Sequence, residues 1–150
     1  VLTLGDPALG LRLEVLWPPK EAVLSSNDAS LILRLTRRGQ GLALLPGDAE
    51  KASLRALLRR GGDISADVLL LPHHGSSGSF LAGLYRAVRP RLVLASCGFG
   101  NRYGHPAKTV RNWFSERHIP LLDTARWGRL QVVWPADAPA RVRSGRPGPS

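Results

Sequence analysis

Asp67-Val68-Leu69-Leu70-Leu71-Pro72-His73-His74-Gly75-Ser76 is a short apolar run that stops at a proline and breaks into a polar cluster. A run of this length between Asp and Pro reads as a buried strand. The pattern recurs on either side. Upstream, Leu42 to Leu45 is a fully apolar strand that stops at Pro46-Gly47-Asp48. Downstream, Arg91 to Ala95 is a third buried strand, followed within a few residues by Asn101-Arg102-Tyr103-Gly104-His105-Pro106. Helical spacing separates these strands. Leu54, Leu57 and Leu58 fall at i, i+3, i+4 and are closed by Gly61-Gly62, while Phe80, Leu84 and Val88 follow Ser79 as a candidate N-cap. Strand, loop and helix in alternation make an α/β pattern. In such sheets the loops leaving the C-terminal ends of strands tend to carry the chemistry.

The remaining segments extend this frame. Leu11 to Leu16 alternates apolar and polar residues and ends at Trp17-Pro18-Pro19, as a half-buried strand should. Ser30 to Arg37 alternates too, with Leu31, Leu33 and Leu35 on one face and Ile32 and Arg34 on the other. Arg38-Gly39-Gln40-Gly41 is a hairpin turn into the strand at Leu42. Thr109 is a candidate cap for a helix striped by Val110, Trp113, Phe114 and Arg117, and Pro120 to Leu122 and Arg129 to Trp134 are the last expected strands. One domain over residues 1–134 is expected. Residues 135–150, PADAPARVRSGRPGPS, lack apolar periodicity and read as a mobile basic tail.

The chain has 150 residues, enough for one self-sufficient core. Its charge is lopsided: 21 Lys and Arg against 11 Asp and Glu give a net +10, drawn almost wholly from arginine. A G- and C-rich coding bias is the bland cause; either way, such a surface attracts polyanions. The one cysteine, Cys97, excludes an internal disulfide. No stretch approaches eighteen consecutive apolar residues, so no transmembrane helix is expected. The start, Val1-Leu2-Thr3-Leu4-Gly5, lacks the basic segment of a signal peptide and an initiator Met, and reads as a piece of a longer protein.

Three of the four histidines lie in the strand-end clusters; His118, near a helix C-terminus, reads as structural or solvated. Asp48, His73, His74 and His105 are thus the candidate metal ligands, since carboxylate and imidazole are the usual donors to zinc and manganese in hydrolases. Each has a plain alternative. Asp48 fits as a cap of the following helix, His73-His74 as a satisfied pair in a turn, and His105 as a loop residue. On an extended segment, neighbouring His73 and His74 would point to opposite sides, leaving one of them outside any metal shell.

The ordered strings resemble one family. Asn27-Asp28-Ala29-Ser30-Leu31-Ile32-Leu33-Arg34-Leu35, Leu45-Pro46-Gly47-Asp48-Ala49-Glu50, Ala66-Asp67-Val68-Leu69 with Pro72-His73-His74-Gly75-Ser76, Asn101-Arg102-Tyr103-Gly104-His105-Pro106, and Asp123-Thr124 with Gly128 are similar, in order and spacing, to motifs of the ComEC family of competence DNA-uptake proteins. The resemblance covers Leu13 to Val133. It implies the C-terminal half of a metallo-β-lactamase-like αββα sandwich and a metal-dependent nuclease, bearing manganese or zinc, that degrades the non-transported DNA strand during transformation. It further implies Asp48 as bridging ligand, one of His73 and His74 as a ligand with His74 preferred, and His105 as a ligand or phosphate-facing catalytic group. Ser76 and Asn101 would position the phosphate, with Arg102 and Tyr103 beside them against substrate.

The departure is the family's upstream His-x-His-x-Asp-His motif, a string this chain does not contain. Three expectations follow. The chain alone forms no complete two-metal site, holds little or no metal, and shows little or no turnover. One sheet face is left apolar and is either exposed, favouring a homodimer, or covered by the chain's own helices. The natural partners are DNA and the remainder of the ComEC chain, including its membrane channel, which implies a soluble domain of an inner-membrane protein. The competing reading is a non-catalytic basic DNA-binding module with vestigial metal motifs.

Overall fold

The computed structural model describes residues 3–6, 8–19, 26–135 and 138–146. The fold is mixed α/β, centred on a seven-stranded sheet in which spatial order follows chain order. The strands are β1 (Thr3–Asp6), β2 (Leu11–Trp17), β3 (Ile32–Arg37), β4 (Gln40–Leu45), β5 (Val68–Leu70), β6 (Leu92–Ala95) and β7 (Leu121–Asp123). The first four pair antiparallel, and β4 through β7 pair parallel. The change of direction has a local cause. Arg38 and Gly39 both take positive φ, so β3 and β4 close a tight hairpin. The parallel pairs beyond β4 need crossovers, which carry α1 (Lys51–Arg60), α2 (Ala82–Val88) and α3 (Lys108–Ser115).

These helices share one face of the sheet. Leu44, Leu69 and Val93 are register partners whose side chains meet Leu54 and Leu57 of α1, Leu84 and Val88 of α2, and Val110 and Phe114 of α3, all buried in one cluster. The alternate positions Leu33, Leu35, Leu45, Leu70, Leu94 and Leu122 point to the other face and are half-buried. Arg34, though on the helix side, is buried. Its guanidinium donates to Glu14, Asp63 and the Ser65 carbonyl, pinning the loop after α1 to the hairpin. A hydrogen bond from Ser65, with help from Arg34, holds the Asp63 carboxyl below its ordinary value.

Several expected boundaries move. β1 was not foreseen, because Leu2 to Asp6 offers too few residues for a period. Ser79 does not cap α2: the Ser76 hydroxyl accepts the Gly78 N–H, residues 77–79 make a 3₁₀ turn first, and the helix waits until Ala82. Thr109 likewise lies inside α3, whose N-cap is Ala107. Thr124–Trp127 forms a short helix, α4, capped by Asp123. The segment expected as a mobile tail contains a strand. Arg141–Ser144 (β9) pairs with Leu130–Val133 (β8), Val142 opposite Val132, in a separate hairpin. Arg37 anchors the segment leaving β8 by donating to the carbonyls of Trp134 and Pro135. Residues 136, 137 and 147–150 of that segment lie outside the described residues.

The Asn27-Asp28 motif has a definite structural role. α1 has no side-chain cap of its own at Glu50. Asp28, far off in sequence, accepts the Ser53 N–H in the first turn at 3.0 Å, while its own carbonyl accepts from Trp17 Nε1 at 2.8 Å. An anion at a helix N-terminus satisfies an orphan donor and complements the dipole. Hydrogen bonding from Ser53 holds the Asp28 carboxyl below its ordinary value. Its stabilisation is therefore complete above the unfolded carboxyl value near 4 and is lost as pH falls through the lower folded value. Asp28→Ala is expected to cost about 1 kcal/mol at neutral pH. The gap to the parent chain should narrow below about pH 4. Urea denaturation at both pH values measures this, and an equal gap at both would refute ionic capping.

Candidate functional site

Parallel alignment of β4 to β7 brings four strand ends to one edge of the sheet. Gly47-Asp48 follows β4, His73-His74 follows β5, the segment from Cys97 to His105 follows β6, and Thr124 follows β7. These loops are laced by hydrogen bonds. His73 N–H donates to Gly47 O at 2.9 Å, and Ala107 N–H to Gly75 O at 2.9 Å. Thr124 bonds both polar groups of Cys97, accepting from its N–H at 2.9 Å and donating to its carbonyl at 2.8 Å.

His73 and His74 do not lie on extended backbone. His73 (φ 46°, ψ 49°) and His74 (φ 58°, ψ 13°) are left-handed, and Gly75 continues at φ 85°. Opposed directions on a strand therefore do not apply, and the two rings sit edge to face with centroids 6.1 Å apart. Left-handed backbone is unfavourable for residues with a Cβ and persists where its surroundings impose it. Here the surroundings are the clamping bonds just described.

Asp48 is not the cap of α1, since Asp28 has that role. Its Oδ1 lies 3.5 Å from His74 Nε2, both side chains being 48% exposed. His74 Nδ1 faces the Ser96 carbonyl at 2.7 Å. A carbonyl only accepts, so the ring proton of neutral His74 belongs on Nδ1. Nε2 then faces a carboxylate oxygen, a contact that either a proton on Nε2 or a cation shared between the two satisfies. A histidine oriented through its other nitrogen by a backbone carbonyl is a common arrangement behind a metal ligand. The donor chemistry of this pair suits a divalent ion, but two donors make only part of a shell. Among the described residues no group of three or more His, Cys, Asp or Glu side chains stands close enough to hold a metal.

The other expected residues divide. His73 Nδ1 is buried without a hydrogen-bond partner, 3.4 Å from Glu50 Oε1. The ring of His105 is 6.3 Å from that of His73, and its Nδ1 is also buried and unpartnered. Burial, and then the neighbouring imidazoles, hold His105 below the ordinary histidine value, which favours the neutral ring. Ser76 spends its hydroxyl on the Gly78 N–H. Asn101 is committed to its own loop: Nδ2 donates to Gly98 O and His105 O, and Oδ1 accepts from His105 N–H. Its amide organises the loop. Arg102 and Tyr103 stand at the surface, bonded to each other. A 310 Å³ cleft joins His74, Ser96, Cys97, Asn101, Tyr103 and His105. Burial raises the Cys97 thiol above its ordinary value, so it is a poor nucleophile.

Sequence reasoning missed the supporting residues. Glu50 accepts from Asn27 Nδ2 at 3.1 Å and so is held beside His73. Both belong to motifs quoted above, yet their meeting needs the β2–β3 connection folded against α1. Ser96 acts through its carbonyl, which carries no sequence signal.

The chain was compared with known proteins. It is 35% identical over 123 residues to "Competence protein ComA" of Neisseria gonorrhoeae, covering 81% of this chain and 18% of that protein. It is 33% identical over 121 residues to "ComE operon protein 3" of Bacillus subtilis (strain 168), covering 81% of this chain and 16% of that protein. It is 31% identical over 123 residues to "Recombination protein 2" of Haemophilus influenzae, covering 82% and 15%. No protein-family model matches. The chain spans less than a fifth of the length of these relatives.

The packing at Gly75 allows a direct test of the turn. A Cβ there would meet Pro106 Cβ at 2.8 Å and Leu71 Cδ1 at 2.9 Å, on a backbone already at φ 85°. Gly75→Ala is expected to destabilise the chain by about 3 kcal/mol, strain and overpacking together. Denaturant titration reads this, and a loss under about 1 kcal/mol would show a turn free to relax.

Proposed function

Over four fifths of its length the chain is related to one segment of bacterial competence proteins, and from that kinship we propose that it is part of a metal-dependent nuclease acting on DNA during uptake. The observation that carries the proposal is the Asp48–His74 pair, a carboxylate oxygen and a ring nitrogen 3.5 Å apart with the histidine oriented from behind by the Ser96 carbonyl. In this reading Asp48 and His74 would hold manganese or zinc. His105, neutral and across the turn, is a further ligand or faces the phosphate. His73 is braced against Glu50. A divalent ion so held supplies a Lewis acid for the phosphodiester and lowers the pKa of bound water. The protein's part is to fix the donors rigidly at a sheet edge, orient His74, and present a basic surface to a polyanion.

The finer fold reading is the C-terminal half of a metallo-β-lactamase-like αββα sandwich. The helices on one face and the row of half-buried leucines on the other support it, as a second sheet would cover that row. The remaining metal ligands and that sheet would come from elsewhere in the longer protein, as would any membrane channel. No described helix is long and apolar enough to cross a membrane. The strand degraded would be the one not transported.

Manganese or zinc titrated into the chain by calorimetry is expected to show one weak site. Asp48→Ala and His74→Ala should each weaken it at least about tenfold. Labelled DNA should be cut only with metal and never by the Asp48→Ala variant, with slow turnover for the chain alone. DNA binding without any metal binding, unchanged by either substitution, would overturn the nuclease reading in favour of a basic binding module.

A further inference from the structure

The loop between β6 and α3 is rigid at its base and displays its large rings outward. Asn101 staples it from inside, and backbone bonds Asn101 N–H to Gly98 O and Gly104 N–H to Asn101 O close it further. A loop so well tied could turn an apolar ring inward, yet Phe99 is 87% exposed and Tyr103 is 66% exposed. Glycines keep the space around them open: nothing lies within 4 Å of where a Cβ would stand at Gly98, Gly100 or Gly104. The Tyr103 ring lies nearly parallel to His105, with centroids 5.6 Å apart and 15° between planes. The Arg102 guanidinium sits 4.9 Å from the Tyr103 centroid. Tyr103 and His105 both line the cleft that reaches His74.

Charge singles out the occupant. The loop from Ser96 to Ala107 carries no Asp or Glu and holds Arg102, with Lys108 exposed at the start of α3; the acidic groups at this edge, Asp48 and Glu50, each face a histidine. Flat π faces beside cationic side chains suit a chain of negative charges that also carries flat rings. A duplex hides its base faces by stacking; an unpaired strand offers them.

We propose that Phe99 and Tyr103 form a base-stacking clamp that takes DNA as an unpaired strand at the mouth of the Asp48–His74 site. The clamp rests on the nucleic-acid reading above and deepens it, from DNA to single-stranded DNA or a splayed end. Tyr103, stacked on His105, is the inner face; Phe99, on its glycine-flanked turn, is the outer one.

Binding in EDTA separates the clamp from the chemistry. The chain would be titrated against fluorescein-labelled oligothymidylate, an abasic strand of equal length, and a duplex hairpin, with anisotropy as readout. Phe99→Ala and Tyr103→Ala should each weaken oligothymidylate binding on the order of tenfold. Binding of the abasic strand and the hairpin should change less than about twofold, and Phe99→Trp should bind as well as the parent. Both side chains are exposed, so thermal melting should be unchanged. Equal loss on the abasic strand, no loss on oligothymidylate, or no binding to any probe would each overturn the clamp. Ring-dependent binding in a chain that takes up no metal at Asp48 would sink the nuclease reading and leave the clamp standing.

Discussion

The left-handed turn at His73, His74 and Gly75 is the constraint on which the site depends. Backbone of this kind is unfavourable in isolation and holds because both sides of it are engaged. The His73 N–H is drawn to Gly47 O, and the Gly75 carbonyl is taken by Ala107 N–H. The same bonds tie the loop after β4 and the segment leading into α3 to the loop after β5. One strained turn therefore sets the relative positions of Asp48, His74 and His105, residues spread over some sixty positions of sequence. Parallel pairing of β4 to β7 supplies the common edge, and the turn supplies the registration between loops.

A second layer of polar residues frees the first to bind something else. Asp48 stands two residues ahead of Glu50, the N-cap of α1, close enough for a helix N-terminus to claim a carboxylate. Asp28 has taken that donor, so the Asp48 carboxylate faces solvent and His74. Asn27 holds Glu50 against His73, and Asn101 spends its whole amide on shaping the loop that presents Tyr103. Polar side chains that look like ligands in a motif thus divide into those that hold the scaffold and those left with unspent acceptors.

Much of the α/β frame was legible because its signals are local. The apolar runs at Leu42, Val68 and Leu92 end at Pro or Gly, and the helices between them carry leucines at helical spacing. The clusters at Asp48, His73-His74 and His105 were legible for the same reason, as polar groups where strands stop. What the sequence hid depends on contacts between distant segments. The capping of α1 by Asp28 spans 25 residues, and the Thr124 link to Cys97 spans 27. The turn at His73 was misjudged because alternation along a strand was carried past the strand's last residue. The pairing of β9 was missed because Arg141-Val142-Arg143 shows one apolar residue, and its partner strand lies across a proline-rich gap.

The distribution of charge links the scaffold to the ligand it suits. Acidic residues in the N-terminal half have structural partners: Asp28 at α1, Glu14 and Asp63 on Arg34, Glu50 on Asn27. Asp123, buried further on, is held by Arg111 and Arg126 N–H. Asp48 is different: half its side chain is in solvent, and the one side chain it faces is the His74 ring. Around it the loops from 68 to 115 contribute no carboxylate at all. A carboxylate at the mouth of the cleft would repel a polyanion least when a cation covers it. The two proposals are thereby coupled physically: a cation between Asp48 and His74 would offset the carboxylate nearest the cleft, so that a phosphate backbone could be drawn in while its bases rest on the rings outside.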